Sequence, residues 1–259
     1  MKTRGVQAAA REAVYARPEA LLDVSTHYCA GCGHGIMHRL LAEVLAELDI
    51  RERTIGVAPV GCAVIAYDYV DIDWTEAAHG RPPAVATGLK RVHPDRIVFT
   101  YQGDGDLASI GTAEIIHAAA RNENITVIFI NNAIFGMTGG QLAPTTLPGM
   151  RSTTSVKGRD VTKQGYPIKV CELLAGLDGP YYLERVSVHA PKHILKAEKA
   201  IKTAFQNQID NKGFSLVEIL SLCPTGWGLT PVDAKKWMED VMSKYYPTAE
   251  YRNRGKEAK

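Results

Sequence analysis

The amino-acid sequence predicts an α/β fold built on a doubly wound, mainly parallel sheet. Three observations lead there. Short apolar runs suited to buried strands alternate with stretches whose apolar residues recur at helical spacing; the connections are short; and no internal repeat is present. Sheets of this kind bind ligands beyond the carboxyl ends of their strands. The 259 residues are read as a single domain, 1–259, with an N-terminal arm.

The first 27 residues form the arm, with a short helix near 8–15. HYCAGCGHGI follows, and then a helix over 34–48, where Ile36, Leu40, Leu41, Val44, Leu45 and Leu48 share a face. Cys29 and Cys32 therefore stand just ahead of a helix N-terminus, where thiolates are favoured. A strand over 53–60 runs into Val60-Gly61-Cys62-Ala63. A loop with Tyr67, Asp68, Tyr69, Asp71, Asp73 and Trp74 leads to Ala78-His79-Gly80-Arg81-Pro82-Pro83, whose prolines suit the entry of a helix over 84–91. Next come a strand over 97–101, a turn holding Gly103, Asp104, Gly105 and Asp106, a helix over about 109–121, and a strand over 125–130 that ends in Asn131 and Asn132. Residues 134–165 show no helix or strand pattern, and so long a segment rich in Gly, Pro, Ser and Thr reads as a cover over a bound group. A helix over 168–175, a strand over 181–188, a helix over 191–209 and a strand over 214–220 precede Cys223-Pro224. Thr230-Pro231-Val232-Asp233 opens a last helix with a side-chain cap, and 252–259 reads as a solvated basic tail.

A net charge of +2 with mixed signs gives no field directed at nucleic acid. No apolar run approaches the roughly 18 residues of a membrane span, and charges interrupt the N-terminal segment, so neither a secretory signal nor an anchor is expected. The expected location is the cytoplasm. Five cysteines in such a chain point to metal or redox work, as four plus one.

The turn after the 97–101 strand carries the chemistry. Its glycines admit a bound group close to the backbone, and the following helix N-terminus suits a phosphate. Asp104 and Asp106 would repel that phosphate unless a divalent cation lay between, so Asp104 and the Asn132 amide oxygen are expected to hold Mg²⁺ jointly. Cys29 and Cys32 alone fit zinc, an iron-sulfur cluster or a dithiol couple. With Cys62 and Cys223, each just after a strand, they supply four thiolates to one centre, zinc or iron-sulfur. Cys171, in VCELLAG, reads as a small buried side chain.

GDGD followed about 25 residues later by NN resembles the thiamine-diphosphate fingerprint. NNAIFGMTGGQ, with the cysteines, is similar to the beta subunit of 2-oxoacid:ferredoxin oxidoreductases of the 2-oxoglutarate/2-oxoisovalerate type, over roughly residues 28–227. That resemblance implies a thiamine-diphosphate-binding fold and oxidative decarboxylation of a 2-oxoacid with coenzyme A to acyl-CoA and CO₂. Electrons would pass through a 4Fe-4S cluster on Cys29, Cys32, Cys62 and Cys223 to ferredoxin. It also implies the Ile134 carbonyl as a third Mg²⁺ ligand, Gly105, Asp106, Gly136 and Met137 along the diphosphate, and Val60, Gly61, Cys62 and Ala63 against the thiamine. His79 and Gly80 border the same pocket, with His79 and Arg81 as candidate catalytic groups and Thr138 and Gln141 as weaker ones. The carboxylate that activates thiamine is expected from an alpha subunit, beside which gamma and delta subunits also belong to such complexes. MTGGQ departs from the TKGQ form of some relatives, which leaves the acid open. A non-oxidative thiamine decarboxylase or carboligase and a zinc-stabilised binding module are the rival readings.

Overall fold

The computed structural model describes residues 16–257, so the helix expected near 8–15 lies outside the described residues. Seven strands, β1 (Thr54–Ala58), β2 (Asp73–Glu76), β3 (Ile97–Gly103), β4 (Thr126–Asn131), β5 (Tyr182–Ser187), β6 (Ser215–Leu220) and β7 (Ala249–Asn253), form one sheet in the order β2-β1-β3-β4-β6-β5-β7. Every neighbouring pair is parallel except β5 with β7. The helices are α1 (His34–Glu47), α2 (Pro82–Val92), α3 (Thr112–Ala120), α4 (Val161–Gln164), α5 (Val170–Ala175), α6 (Pro191–Ile209), α7 (Pro224–Trp227) and α8 (Pro231–Trp237).

Both faces of the sheet are covered, which is why β3, β4 and β6 are buried almost throughout and mostly apolar instead of alternating. Phe99, Tyr101, Ile128, Ile130, Val217 and Ile219 join Met37, Leu41, Leu45, Ile201 and Phe205 from α1 and α6 in one core. The intervening residues Val98, Val127, Phe129 and Leu216 join Ala86, Ile115, Val170 and Leu174 from α2, α3 and α5 in the other. Full burial of a side chain such as Phe205 contributes about 1.5–3 kcal/mol. A third cluster, with Ala133, Leu147, Met238 and Tyr246, packs the C-terminal helical segment under the 134–165 loop at the carboxyl ends of the strands.

The chain goes from β1 outward to β2 and then back across β1 to β3. The reversal opens a crevice between β1 and β3 at their carboxyl ends, the place where doubly wound sheets bind ligands.

Three expectations change. The loop holding Asp73 and Trp74 contains an edge strand, β2; at only four residues, half-exposed, it lacks the apolar run that marks a strand in sequence. Residues 249–253 pair antiparallel with β5, and the Arg252 guanidinium donates to the carbonyls of Leu177 and Ala175, so the expected basic tail begins in an edge strand; residues 254–257 then form a short helical turn, exposed from Gly255 on. The helix expected from 109 begins as a π-turn at Asp106–Ile110 before α3. The expected helices over 84–91, 168–175 and 191–209 all form, and Thr230 Oγ1 accepts the Asp233 N–H at the start of α8.

Candidate active site

The carboxyl ends of β1, β3 and β4 surround one cavity. Val60, Gly61, Cys62 and Ala63 line it from the β1 side, His79 from the turn before α2, Gly105 and Asp106 from β3, and Gly136 and Met137 from beyond β4. Gly61 and Gly103 have open space where a Cβ would stand, and a Cβ on Gly105 would meet the Phe135 ring at 2.2 Å, so the floor tolerates no side chain there.

Asp104 is buried on that floor. Its Oδ1 accepts the Gly105 N–H (2.9 Å) and its Oδ2 accepts the Ile134 N–H (3.1 Å) and the Thr145 hydroxyl (2.7 Å). Burial outweighs those bonds and pushes its carboxyl up to about 6. The Asn132 amide turns one end to Asp104 Oδ2 (3.3 Å) and the Ile134 carbonyl (2.7 Å), and without an ion the hydrogen bonds favour its NH₂ group there, donating to both. A hard cation among the three would select the opposite amide orientation, an oxygen cup with the Asn132 oxygen inward beside those of Asp104 and Ile134.

Asp106 faces another way. Its Oδ1 accepts from His79 Nδ1 (2.6 Å), the Gly80 N–H (2.9 Å) and the Val60 N–H (3.3 Å), and its Oδ2 accepts from Gln102 Nε2 (2.6 Å). With four donors on it, this carboxylate is a tie between β1, β3 and the turn before α2, and it lines the cavity. Because it only accepts, His79 holds a proton on Nδ1, and in the neutral ring Nε2 is left as the acceptor. Gly80 contributes its N–H to the same tie. Arg81 is held outside, where its guanidinium pairs with Glu114 and reaches the Ile110 carbonyl. Thr138 borders the cavity and bonds Gln141 through its hydroxyl (2.6 Å).

Four of the cysteines converge. The Cys29–Cys32 turn closes through the Cys32 N–H to the Cys29 carbonyl (3.0 Å), and the Gly33 N–H donates to the Leu222 carbonyl (3.2 Å), next to Cys223. A Cβ on Gly136 would lie 3.2 Å from Cys62 Sγ and 3.4 Å from Cys223 Sγ. Burial, followed by the neighbouring Cys32 and Asp104 charges, pushes the Cys62 thiol up to about 12; burial and the same neighbours take Cys223 to about 12. Cys171 is fully buried on α5, as expected. Among the described residues no group of three or more His, Cys, Asp or Glu side chains is placed to hold a metal ion.

Several residues at the site lay outside the sequence reading. His34 lines the cavity with Nδ1 on the Tyr101 hydroxyl (2.8 Å), and burial holds its imidazole down to about 4. Gln102, one residue before the GDGD turn, orients Asp106. Thr145 holds Asp104 from the 134–165 loop, which is organised by the buried Arg159 through bonds to the carbonyls of Ala143, Pro144, Thr146, Gln164 and Gly165. Trp227 Nε1 donates to the Asn132 carbonyl (2.8 Å) and ties the Cys223 segment to β4. Only His34 carried a local signal, its place in the CGHGI stretch.

Residues 59–219 match the family described as thiamine pyrophosphate enzyme, C-terminal TPP binding domain. The chain is 36% identical over 231 residues to the 2-oxoglutarate synthase subunit KorB of Archaeoglobus fulgidus, covering 89% of this chain and 81% of that one. It belongs to the KorB/VorA subunits of the 2-oxoacid:ferredoxin oxidoreductase family. Within that family it is 48% identical over 254 residues to the ketoisovalerate oxidoreductase subunit VorA of Methanothermobacter thermautotrophicus, covering 94% of this chain and 53% of that one. The chain therefore spans about half the length of its VorA relatives. A solved member, the 2-oxoglutarate:ferredoxin oxidoreductase from Magnetococcus marinus with 2-oxoglutarate, coenzyme A and succinyl-CoA bound, superposes with a TM-score of 0.74 at 28% identity, over 92% of this chain and 77% of that one. The fold of this oxidoreductase-family chain is that of its thiamine-pyrophosphate-binding relatives, and no helix among its described residues is long and apolar enough to cross a membrane.

Proposed function

We propose that this chain is the thiamine-diphosphate-binding part of an oxidoreductase that converts a 2-oxoacid and coenzyme A to acyl-CoA and CO₂ and delivers the electrons to ferredoxin. The observation that carries the proposal is the convergence of the Asp104 carboxylate, the Asn132 amide and the Ile134 carbonyl on the floor of a cavity whose wall holds Cys62. A buried carboxyl raised to about 6 becomes a stable anion beside a cation, and acceptor oxygens without hydrogens suit Mg²⁺. Buried thiols held at about 12 likewise ionise only against a strong positive charge. When bound, thiamine diphosphate supplies the nucleophilic carbon and electron sink, Mg²⁺ the charge facing the diphosphate, and a 4Fe-4S cluster on Cys29, Cys32, Cys62 and Cys223 a one-electron acceptor.

The chain's own residues position these groups. Gly61, Gly103 and Gly105 leave the backbone bare for close approach, and Val60, Ala63, Ile134 and Met137 present apolar surface to a ring system. His79, fixed by Asp106, offers Nε2 as a proton acceptor at the cavity wall. Asp104 and Asp106 are the acids of that wall, and both are engaged. The carboxylate that activates thiamine therefore comes from a partner subunit.

Among the described residues neither Lys nor Arg lines the cavity, while Val60, Ala63, Ile130, Ile134, Phe135 and Met137 do. A second carboxylate on the substrate would stay uncompensated there, and a branched aliphatic tail would not. Glycine stands at 139 where the TKGQ form has lysine. We assign the substrate to the branched-chain 2-oxoacids, of which 2-oxoisovalerate is the type. Anaerobic dye reduction with a panel of 2-oxoacids and coenzyme A tests this. Turnover with 2-oxoisovalerate above 2-oxoglutarate is expected from the assembled enzyme, with none from this chain alone; a preference for 2-oxoglutarate or robust single-chain turnover contradicts it. Iron and acid-labile sulfide in the anaerobically purified protein distinguish the cluster from zinc and from a non-oxidative decarboxylase.

A further inference from the structure

Arg185 on β5 and Glu218 on β6 are register partners in the middle of the sheet, both completely buried. Arg185 Nε stands 2.9 Å from Glu218 Oε2, although the two are not aligned as a hydrogen bond. Arg185 also meets Glu172 at 2.5 Å and the Tyr251 hydroxyl at 2.5 Å. Burying such charges costs free energy that a hydrophobic pair of the same volume would not. What a hydrophobic pair lacks is an acceptor at the end of β4. Glu218 Oε1 accepts from Asn131 Nδ2 at 2.8 Å, and Asn131 Oδ1 accepts the Ala133 N–H at 3.1 Å. Ala133 is buried and left-handed, with φ +60°, a conformation that disfavours a residue with a Cβ. Its two neighbours are Asn132 and Ile134, whose side-chain amide and carbonyl face the same point because the chain turns between them. Arg185 also lies under the Tyr246 ring, 5.2 Å away, and the Tyr246 hydroxyl donates to the Thr145 carbonyl (2.6 Å) in the residue whose hydroxyl holds Asp104.

We infer that Asn131, anchored by the Glu218–Arg185 pair, is a positioning residue that holds the left-handed turn at Ala133 and so keeps Asn132 and Ile134 aimed at the cation. The inference rests on the proposed Mg²⁺ site. The first asparagine of the NN pair thus acts through the second. The test is calorimetric titration of the complete assembled protein with Mg²⁺ at saturating thiamine diphosphate. Asn131→Ala weakens Mg²⁺ binding by roughly tenfold or more, as expected for bonds that include a charged partner. Adding Ala133→Gly restores much of the loss, because glycine adopts the turn without the Asn131 bond; a merely structural role for Asn131 predicts no recovery. Gln208→Ala, which removes a buried hydrogen-bonding side chain on α6 that joins β3 to β4, lowers thermal stability and leaves Mg²⁺ affinity unchanged. Should Asn131→Ala not fold, Glu218→Gln replaces it with the same expected direction. Wild-type Mg²⁺ affinity in either variant, or no recovery with Ala133→Gly, overturns the inference alone. Failure of the unaltered protein to bind Mg²⁺ and thiamine diphosphate overturns the site and the inference with it.

Discussion

The oxygen cup and the cysteine group share one end of the sheet and are built in opposite ways. Around Asp104 each oxygen has an internal donor, from Gly105, Ile134 and Thr145, and the loop that carries Thr145 is itself stapled by Arg159. The cysteines stand on three separate turns, and only backbone N–H groups of His34 and Gly226 favour the ionised thiols of Cys32 and Cys223 against burial. One region is organised by its own hydrogen bonds, and the other, on the proposed function, would be completed by a cluster. The physical reason is charge. A single carboxylate in a hydrogen-bonded pocket is tolerable without a counter-ion, whereas four adjacent thiolates are not.

Separating the two halves is the strongest way to break the comparison. Asp104→Asn removes the cup's only charge and is expected to weaken Mg²⁺-dependent thiamine diphosphate binding by about 100-fold or more, with iron content unchanged; calorimetry and iron analysis on the same preparation check both. Cys62→Ser does the reverse. It abolishes cluster incorporation and electron delivery to an acceptor dye while thiamine diphosphate still binds. If either substitution removes both ligands, the halves form one cooperative unit and the contrast collapses.

A smaller effect concerns the tie beside the cup. Asp106→Asn sets an amide NH₂ against His79 Nδ1 or Gln102 Nε2, both donors, and lowers turnover roughly 10- to 100-fold together with the melting temperature, with little change in Mg²⁺ affinity. Equal loss in Mg²⁺ affinity would place Asp106 in the cup instead.

Acidification sharpens the same contrast. The Asp104 carboxyl, raised to about 6, is protonated in the free protein below that pH, so Mg²⁺ must displace a proton there. Apparent Mg²⁺ affinity is flat above pH 6 and falls by up to about tenfold per unit below it, with a proton released on binding. An affinity independent of pH from 7 to 5 contradicts this. The first helix answers acid with a smaller effect and the opposite kind of group. Burial holds His34 down to about 4 and His38 down to about 3, against 6.5 in the unfolded chain. Stability from these neutral rings is complete above pH 6.5 and is lost as pH falls toward those values, because the unfolded chain binds the protons more readily. Hydrogen exchange across residues 27–38 should therefore quicken between pH 6 and 4, before exchange in β4 does.

Chain order and residue chemistry were enough for much of this. The alternation of buried strands with amphipathic helices fixes a parallel, doubly wound sheet, because runs apolar on both faces need helices on both sides. The GDGD turn, the NN pair, Cys62 and Cys223 were legible because each is a local signal just after a strand, and every parallel strand in such a sheet ends at the same edge; Cys29 and Cys32 were legible as a CxxC pair ahead of a helix. Edge strands β2 and β7 were not, since half-solvated backbone needs little hydrophobic residue to pair. Nor was the direction of a side chain. Asp104 and Asp106 are two residues apart and chemically alike, yet one faces the cup and the other turns back to His79, Gly80, Val60 and Gln102. Arg185, Glu218, Thr145 and Tyr246 carry no motif, and their roles arise only where segments distant in the chain meet. Local composition sets which elements form and where they end; which buried polar atoms satisfy one another depends on distances across the folded chain.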